Sequence, residues 1–389
     1  MAGTIKPRDD KDLRLAVEWA LNEGVTLDVR GQGSKLALGK PMRCDQVLDL
    51  SAVTGIVDYA PEELVVTLRA GTPLREVEEL LAQRNQMLAF EPPDLGPLLG
   101  QPTGQGTLLG ALMGNLAGPR RLSAGAARDH LLGFSGVNGR GEAFKSGGRV
   151  MKNVTGYDLS KLLAGSWGTL AVLDEVSVKV LPAPDQTRTL LLPGLTEEAA
   201  VNVMCQAMGS PHDVSGAAHV DGRTALRLEG VAPSVDARIK GLRELLAGSG
   251  VKMEQLGTLE SRAFWRDVRD VALLDAASDA IVWKISCPPT EGAAVVARIK
   301  AHRPQANALY DWSGGLVWLA LPASDDADQA LVRGALGPAG GHATLVRAPE
   351  DVRARVPVFH PQPPPLAALA VRVKESFDPK GLFNPGRMG

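Results

Sequence analysis

The sequence predicts an α+β protein of two domains, on three observations. Its first quarter alternates a helix, a strand, a glycine-rich turn, further short strands and a second helix. A dense break at Pro182, Pro184 and Asp185 closes a long apolar strand. Beyond it, short strand-like runs alternate with helical stretches, as expected of helices covering one face of an antiparallel sheet.

Leu13, Val17, Ala20 and Leu21 recur at helical spacing, and Gly24 is a stop signal. Residues 26–30 then read as a strand, and 46–50, 55–59 and 64–70 as three more, rich in Val, Ile and Leu. Residues 73–84 follow as a helix, with Thr72 as N-cap and Pro73 at the first helical position. Residues 91–148 read as loop-rich, holding Pro92, Pro93, Pro97, Pro102 and many glycines. Residues 170–181 read as a long strand with partial alternation. In the second domain, strand-like 189–192, 225–228 and 281–285 precede helices near 197–208, 235–247 and 292–301. Residues 306–310 and 316–321 are further strands, and 325–334 a further helix. A proline-rich extended segment, 357–365, leads to a last helix near 366–376. The expected organisation is a first domain over 1–183, a second over 184–356 and a C-terminal segment over 357–389.

Composition narrows the function. The net charge of −2 argues against a broad nucleic-acid surface, which is usually basic. Cys44, Cys205 and Cys287 lie far apart and form no CxxC pair, which favours a reducing compartment. Three thiolates are too few for the usual four-cysteine iron–sulfur cluster. The first eleven residues are polar and charged, without the apolar core of a secretory signal. No apolar run approaches the roughly 18 residues of a membrane helix, so membrane contact is expected only through a partner.

The chemistry is concentrated in glycine-rich segments. The first is Arg30, Gly31, Gln32, Gly33, Ser34 and Lys35, directly after an apolar stretch. A Walker phosphate loop is excluded, because the spacing from Gly33 to Gly39 and Lys40 is wrong and Pro41 stands where a hydroxyl is needed. A dinucleotide fingerprint is excluded, because Leu36 occupies the place of its third glycine. Two readings stay open for the turn alone: a simple strand-to-strand connection, or a nest of backbone N–H groups for a pyrophosphate, with Ser34 adding a hydroxyl. The second segment, 104–115, packs small residues that allow close approach of a planar or phosphorylated ligand, or tight packing of a helix on a sheet. In the third, Thr155, Gly156, Tyr157 and Asp158 form a turn whose Thr and Asp side chains face a ligand or cap a helix over 159–163. Gly165, Ser166, Trp167, Gly168 and Thr169 then turn the chain into a strand.

Taken together these motifs carry a resemblance. The order is Arg-Gly-x-Gly-Ser from Arg30, Gly-Thr-Leu-x-Gly from Gly106, Lys-Asn-Val-Thr-Gly-Tyr-Asp-Leu-x-Lys-Leu from Lys152 and Gly-Ser-x-Gly-Thr-Leu from Gly165. It ends with Phe-Asp-Pro-x-Gly-Leu-Phe-Asn-Pro-Gly from Phe377. The pattern resembles the FAD-binding oxidoreductases of the vanillyl-alcohol oxidase / p-cresol methylhydroxylase (PCMH) type, and within them the E subunits of bacterial glycolate oxidase. The resemblance covers residues 10–183 and the tail well, and the middle loosely. It implies a PCMH-type FAD-binding domain of two α/β subdomains and an antiparallel-sheet α+β cap domain, the tail returning to the first domain.

The resemblance also implies roles. The first loop, Arg30 to Lys35, would cradle the FAD pyrophosphate. Gly106, Thr107, Gly110 and Asn115 would line the cofactor. Asn153, Thr155, Gly156 and Asp158 would approach the flavin and ribityl region. Gly168 and Thr169 would also touch the cofactor, Val172 and its neighbours beyond them would form the strand that backs the adenine, and Asn384 would return near the flavin ring. Some relatives tether FAD through a histidine in the first loop; this loop has none, so non-covalent binding is expected.

Oxidising a 2-hydroxy acid asks for a hydride acceptor, a group to take the hydroxyl proton, and a cation or metal to hold the carboxylate. Catalytic relatives carry a His-x-Gly-x-Gly-x-Leu-His stretch. The counterpart here runs from Tyr310 to Val317, with Tyr310 and Val317 in the histidine positions, so no metal site and no catalytic residue is assigned. His130, His212, His219, His302, His342 and His360 show no short ligand spacing. Arg120-Arg121 reads as a solvated loop pair, and Trp265, Trp283, Trp312 and Trp318 as core or interface anchors.

The expected function is an FAD-binding subunit of a multi-subunit glycolate oxidase, converting glycolate to glyoxylate. Its partners would be a catalytic flavin subunit and an iron–sulfur subunit that passes electrons toward a quinone. The expected setting is cytoplasmic, or peripheral at the inner membrane through the complex. The alternatives are a self-sufficient FAD-dependent 2-hydroxy-acid dehydrogenase and a structural subunit with a degenerate FAD site.

Overall fold

The computed structural model describes residues 3–148 and 156–388. They divide into two compact units, one of 3–117, 125–183 and 361–388, the other of 118–124 and 184–360.

The first unit opens on the helix Asp10–Glu23. Asp9 caps it by accepting from the Asp12 N–H, and Gly24 ends it with φ 66°, a left-handed conformation that glycine adopts at no steric cost. Its buried stripe is Leu13, Ala16, Val17 and Ala20. Three short parallel strands run in the order Gly3–Ile5, Gln46–Asp49, Leu27–Arg30. A five-stranded antiparallel sheet follows the order Ile56–Ala60, Val65–Arg69, Ala171–Lys179, Leu131–Asn138, Ala143–Gly147. One apolar cluster joins both sheets, with Leu27, Leu48, Leu68, Val176 and Phe383 at its centre.

Two of these strands, Leu131–Asn138 and Ala143–Gly147, lie in the stretch read from sequence as loop. Gly133 and Gly136 break the strand pattern there. A Cβ on Gly136 would sit 2.4 Å from the Val172 carbonyl oxygen, and one on Gly133 2.5 Å from the Gly148 nitrogen. The glycines mark close backbone approach inside a sheet, not a loop. The expected cap Thr72 is also displaced. The helix runs over Leu74–Ala82 with Pro73 at its cap position, while the buried Thr72 hydroxyl donates to the Arg69 carbonyl at 2.7 Å. The long strand ends at Lys179, and Leu181–Pro182 pairs separately with Gln86–Met87. The last helix, Pro364–Phe377, starts inside the proline-rich stretch, because proline is compatible with a first helical turn.

The second unit is an eight-stranded antiparallel sheet. Its order is Glu254–Leu256, Gln186–Pro193, Arg223–Gly230, Gly216–Val220, Asn307–Asp311, Leu316–Leu321, Ile281–Ser286, His342–Arg347. The helices Glu197–Met208, Ala232–Leu245 and Gly292–Lys300 share a core with Leu190, Leu226, Trp283, Tyr310 and Val317. The helix Thr258–Arg269, unmarked in the sequence reading, places Trp265 against Arg227 and bonds its indole N–H to the Thr189 hydroxyl at 2.8 Å.

Arg120 does not sit in a solvated loop. Its guanidinium forms two hydrogen bonds to the Glu229 carboxylate, at 2.8 and 2.9 Å, and both side chains are largely buried. Glu229 belongs to the strand Arg223–Gly230, and its partner comes from a segment more than a hundred residues earlier.

Candidate cofactor site

The strand Leu27–Arg30 delivers the chain into the first glycine-rich turn. Arg30, Gly31, Gln32, Gly33, Ser34 and Lys35 line one cleft of the first unit together with Thr107, Gly110, Gly168 and Asn384. Arg30, Gly31, Gln32 and Gly33 also line a second depression, against Asp49, Ser51 and Gln105. The turn is thus a backbone wall with open space on two sides. Gly33 has φ 75°, and a Cβ on Gly31 would lie 3.0 Å from Thr107 Cγ2 and Oγ1. Both positions favour glycine, one by conformation and one by contact. The Arg30 guanidinium is engaged by the Asp28 carboxylate.

Lys35 brings a desolvated positive charge to the cleft, which Arg30 and Arg387 also line. Its Nζ reaches the Ser34 hydroxyl at 3.4 Å and makes no ion pair among the described residues. Burial pulls its pKa down to about 8; Asp94 opposes the shift and Arg387 adds to it. A Cβ on Gly106 or Gly110 would lie 3.6 Å from this ammonium, so the glycines leave room around it. Thr107 caps the short helix Leu108–Met113, its hydroxyl accepting from the Gly110 N–H at 3.0 Å.

The C-terminal tail locks the turn. Asn384, 2% exposed, accepts from the Val29 N–H at 2.8 Å and donates to the Trp167 carbonyl at 2.9 Å. Its own N–H donates to the Leu27 carbonyl at 3.0 Å. Arg387 donates to the Lys35 carbonyl at 2.9 Å and lies 5.7 Å from the Trp167 ring centroid. Asp378 accepts from the N–H groups of Leu382 and Phe383, and Lys374 bonds Asp378 and the Thr169 carbonyl. One side chain, Asn384, therefore ties the strand before the phosphate-type turn to the turn before the strand Ala171–Lys179.

Other expected site residues take different places. Asn115 lies outside the cleft lining; its side-chain oxygen accepts from the Arg128 N–H at 3.1 Å. Asp158 caps the helix Leu159–Leu163 by accepting from the Lys161 N–H, following Gly156 with φ 82°. The Thr169 hydroxyl donates to the Ser166 carbonyl, and Val172 is fully buried within its strand. Asn153 and Thr155 lie outside the described residues. The sequence reading missed Trp167, Met113, Gly114 and Arg387, which also line the cleft. Trp167 stands inside a quoted motif; Arg387 carries no local signal, since its partner Lys35 is 352 positions away.

A turn of backbone N–H groups, a hydroxyl and a desolvated ammonium suits a diphosphate, and the small residues beside it suit a flat ligand. The residues present fit FAD.

Comparison with known proteins agrees with this chemistry. A family profile described as an FAD binding domain matches residues 1–147. The chain is 36% identical over 372 residues to "Glycolate oxidase subunit GlcE" of Escherichia coli K12, covering 96% of this chain and 95% of that protein. It is 28% identical over 188 residues to "Glycolate oxidase subunit GlcD" of Bacillus subtilis, covering 48% of this chain and 38% of the relative. Among solved structures, p-cresol methylhydroxylase with substrate bound aligns with TM-score 0.72 at 12% identity, over 99% of this chain and 88% of the other. The isoeugenol complex of 4-ethylphenol oxidase from Gulosibacter chungangensis aligns with TM-score 0.72 at 14% identity, over 100% of this chain and 89% of the other. These likenesses establish an α+β fold of the PCMH flavoprotein type.

Proposed function

The chain belongs to the family of the glycolate oxidase subunit GlcE, an FAD-linked oxidoreductase family, and on that premise we propose that it holds FAD non-covalently as one subunit of a complex oxidising glycolate to glyoxylate. The observation that carries the cofactor site is Lys35: a desolvated ammonium beside a glycine turn, with a neighbouring hydroxyl as its one hydrogen-bond partner among the described residues. Gly31, Gln32, Gly33 and Ser34 would present N–H groups to the diphosphate, and Lys35 would neutralise part of its charge. Asn384 would hold that turn and the Trp167–Gly168 turn at fixed separation on the two sides of the ligand. When bound, FAD supplies the hydride acceptor for the oxidation.

The partners we propose are a catalytic flavin subunit and an iron–sulfur subunit, with electrons leaving toward a quinone. Tyr310 and Val317, in the positions where catalytic relatives have histidines, are directly paired across adjacent strands and sit in the second unit's apolar core. Valine cannot ligate a metal or take a proton, which supports assigning metal-assisted chemistry to the partner. Among the described residues no helix is long and apolar enough to cross a membrane. We place the subunit in the cytoplasm, at the membrane only through the complex.

The test is the absorbance spectrum of the purified chain before and after glycolate. A yellow protein whose flavin is not bleached by glycolate alone, but is bleached with partner subunits present, is the expected result. A colourless protein that takes up no added FAD overturns the cofactor assignment. Bleaching by glycolate alone overturns the division of labour.

A further inference from the structure

The last helix of the first unit is only half covered. Pro364–Phe377 has 14 residues, about 21 Å at the usual rise per residue. Its final turns are anchored: Val373 and Phe377 pack against the first unit's core, and the Phe377 ring lies 6.1 Å from that of Phe144. Its first two turns stand in water. Every residue from 361 to 372 is exposed, with Leu366 at 54%, Leu369 at 47% and Val371 at 55%. Residues 361–371 also carry no charge. Leu366, Leu369 and Ala370 form one ridge, at spacings of three and four, while Ala367, Ala368 and Val371 take the other sides. The segment is therefore apolar all round.

A helix that is apolar on every side belongs inside a protein, because burial of such a surface is what stabilises it. Three kinds of cover compete, and the residues favour one. A bilayer is the wrong solvent: 14 residues fall short of the roughly 20 needed to span it. A helix lying in the membrane surface pairs its apolar face with a Lys/Arg-rich one, and here no charge precedes Arg372. A second copy related by a twofold axis would lay helix on helix and cover one face of each, leaving the other sides wet. A groove that wraps the helix covers them all, which is the helix-in-groove mode of protein recognition. Position narrows the partner further. Lys374, near the helix end, bonds the Asp378 carboxylate and the carbonyls of Thr169 and Phe383. Thr169 follows Gly168 and Phe383 precedes Asn384, and both Gly168 and Asn384 line the cofactor cleft. The exposed turns thus lead straight into the cofactor site, where a subunit that exchanges electrons with a bound flavin has to sit.

We infer that the uncharged helical segment 364–371 docks in an apolar groove of the catalytic flavin subunit and seats that subunit beside this chain's cofactor cleft. The groove follows from the all-round exposure; the identity of the partner rests on the complex proposed above. Leu366 and Leu369 are the anchors, being the largest side chains of the exposed ridge.

The experiment measures the Kd between the full-length chain, supplied with FAD, and the purified catalytic flavin subunit, by biolayer interferometry. The double variant Leu366→Glu/Leu369→Glu should raise that Kd about thirtyfold or more. Both positions are exposed, so its melting temperature and flavin content should match wild type. Leu259→Glu, at an equally exposed leucine of the second unit, should leave the Kd unchanged. Equal affinity of the double variant and wild type overturns the inference and leaves the complex standing. Failure of wild type to bind the flavin subunit overturns the complex, and this inference with it. Light scattering and co-sedimentation with phosphatidylcholine vesicles decide the other occupants: a wild-type dimer, or vesicle binding, that the double variant loses would assign the helix to a second copy or to lipid and overturn the inference.

Discussion

Asn384→Ala should destabilise the first unit by about 3 kcal/mol and release its cofactor. The side chain bonds two backbone groups, the Val29 N–H at 2.8 Å and the Trp167 carbonyl at 2.9 Å. Losing one such hydrogen bond costs about 0.5–1.5 kcal/mol net. Val29 and Trp167 are half-buried, so the middle of that range applies, about 1 kcal/mol each. Asn384 also has φ 43°, a left-handed conformation that asparagine tolerates and alanine adopts at a further cost of about 1 kcal/mol. Asn384→Gly removes the same two bonds without that conformational term, so it should cost about 2 kcal/mol. The assay is urea unfolding followed by far-ultraviolet circular dichroism, together with flavin retained after gel filtration. If Asn384→Ala unfolds within about 0.5 kcal/mol of wild type and keeps its flavin, the tail is not a latch. If the glycine variant is worse than the alanine one, the conformational part is wrong.

Further outcomes follow from the same geometry. Lys35 must be protonated to meet a diphosphate, and its pKa in the free protein is about 8; FAD affinity should therefore be flat below pH 8 and weaken up to about tenfold per unit above it, in fluorescence titrations. Lys35→Met should bind more weakly and lose that dependence, and an unchanged pH profile would refute the role. Because the folded pKa lies below the ordinary 10.5, the cofactor-free protein should gain stability from Lys35 as pH rises from about 8 to 10.5, measured by thermal melting. Gly31→Val drives methyl groups into Thr107, whose atoms lie 3.0 Å from the added Cβ; it should lower FAD affinity about tenfold or more while the second unit melts normally. Arg120→Ala leaves the buried Glu229 carboxylate without its two-bond partner and should destabilise the second unit by about 3–5 kcal/mol in urea. Burial opposes ionisation of Glu229, but Arg227 and Arg120 outweigh it and hold its pKa at about 2, below the ordinary 4.5. That contribution is complete above pH 4.5 and fades as pH falls toward 2, so acid should erode the second unit in wild type and less so in Arg120→Ala.

Amino-acid order alone determined the local part of this protein. Helical spacing of Leu13, Val17 and Ala20, the strand-to-glycine step at Arg30, and the strand–helix alternation after Pro184 are consequences of short-range periodicity and backbone freedom, so they are legible one window at a time. The glycine turn was visible too, as one of two open readings, and five further positions quoted with it line the same cleft or stand beside Lys35: Gly106, Thr107, Gly110, Gly168 and Asn384. Where glycine meant contact rather than conformation, the sequence misled. Gly133 and Gly136 look like loop residues until Val172 and Gly148 are placed against them. Tertiary structure alone decided the charges. Whether Arg120 is solvated depends on Glu229, whether Lys35 is protonated depends on what surrounds it, and whether Arg387 touches the turn depends on a tail that returns from the far end of the chain. The physical reason is range: backbone preference acts over a few residues, whereas desolvation and charge pairing depend on neighbours in space, which the order of residues does not state.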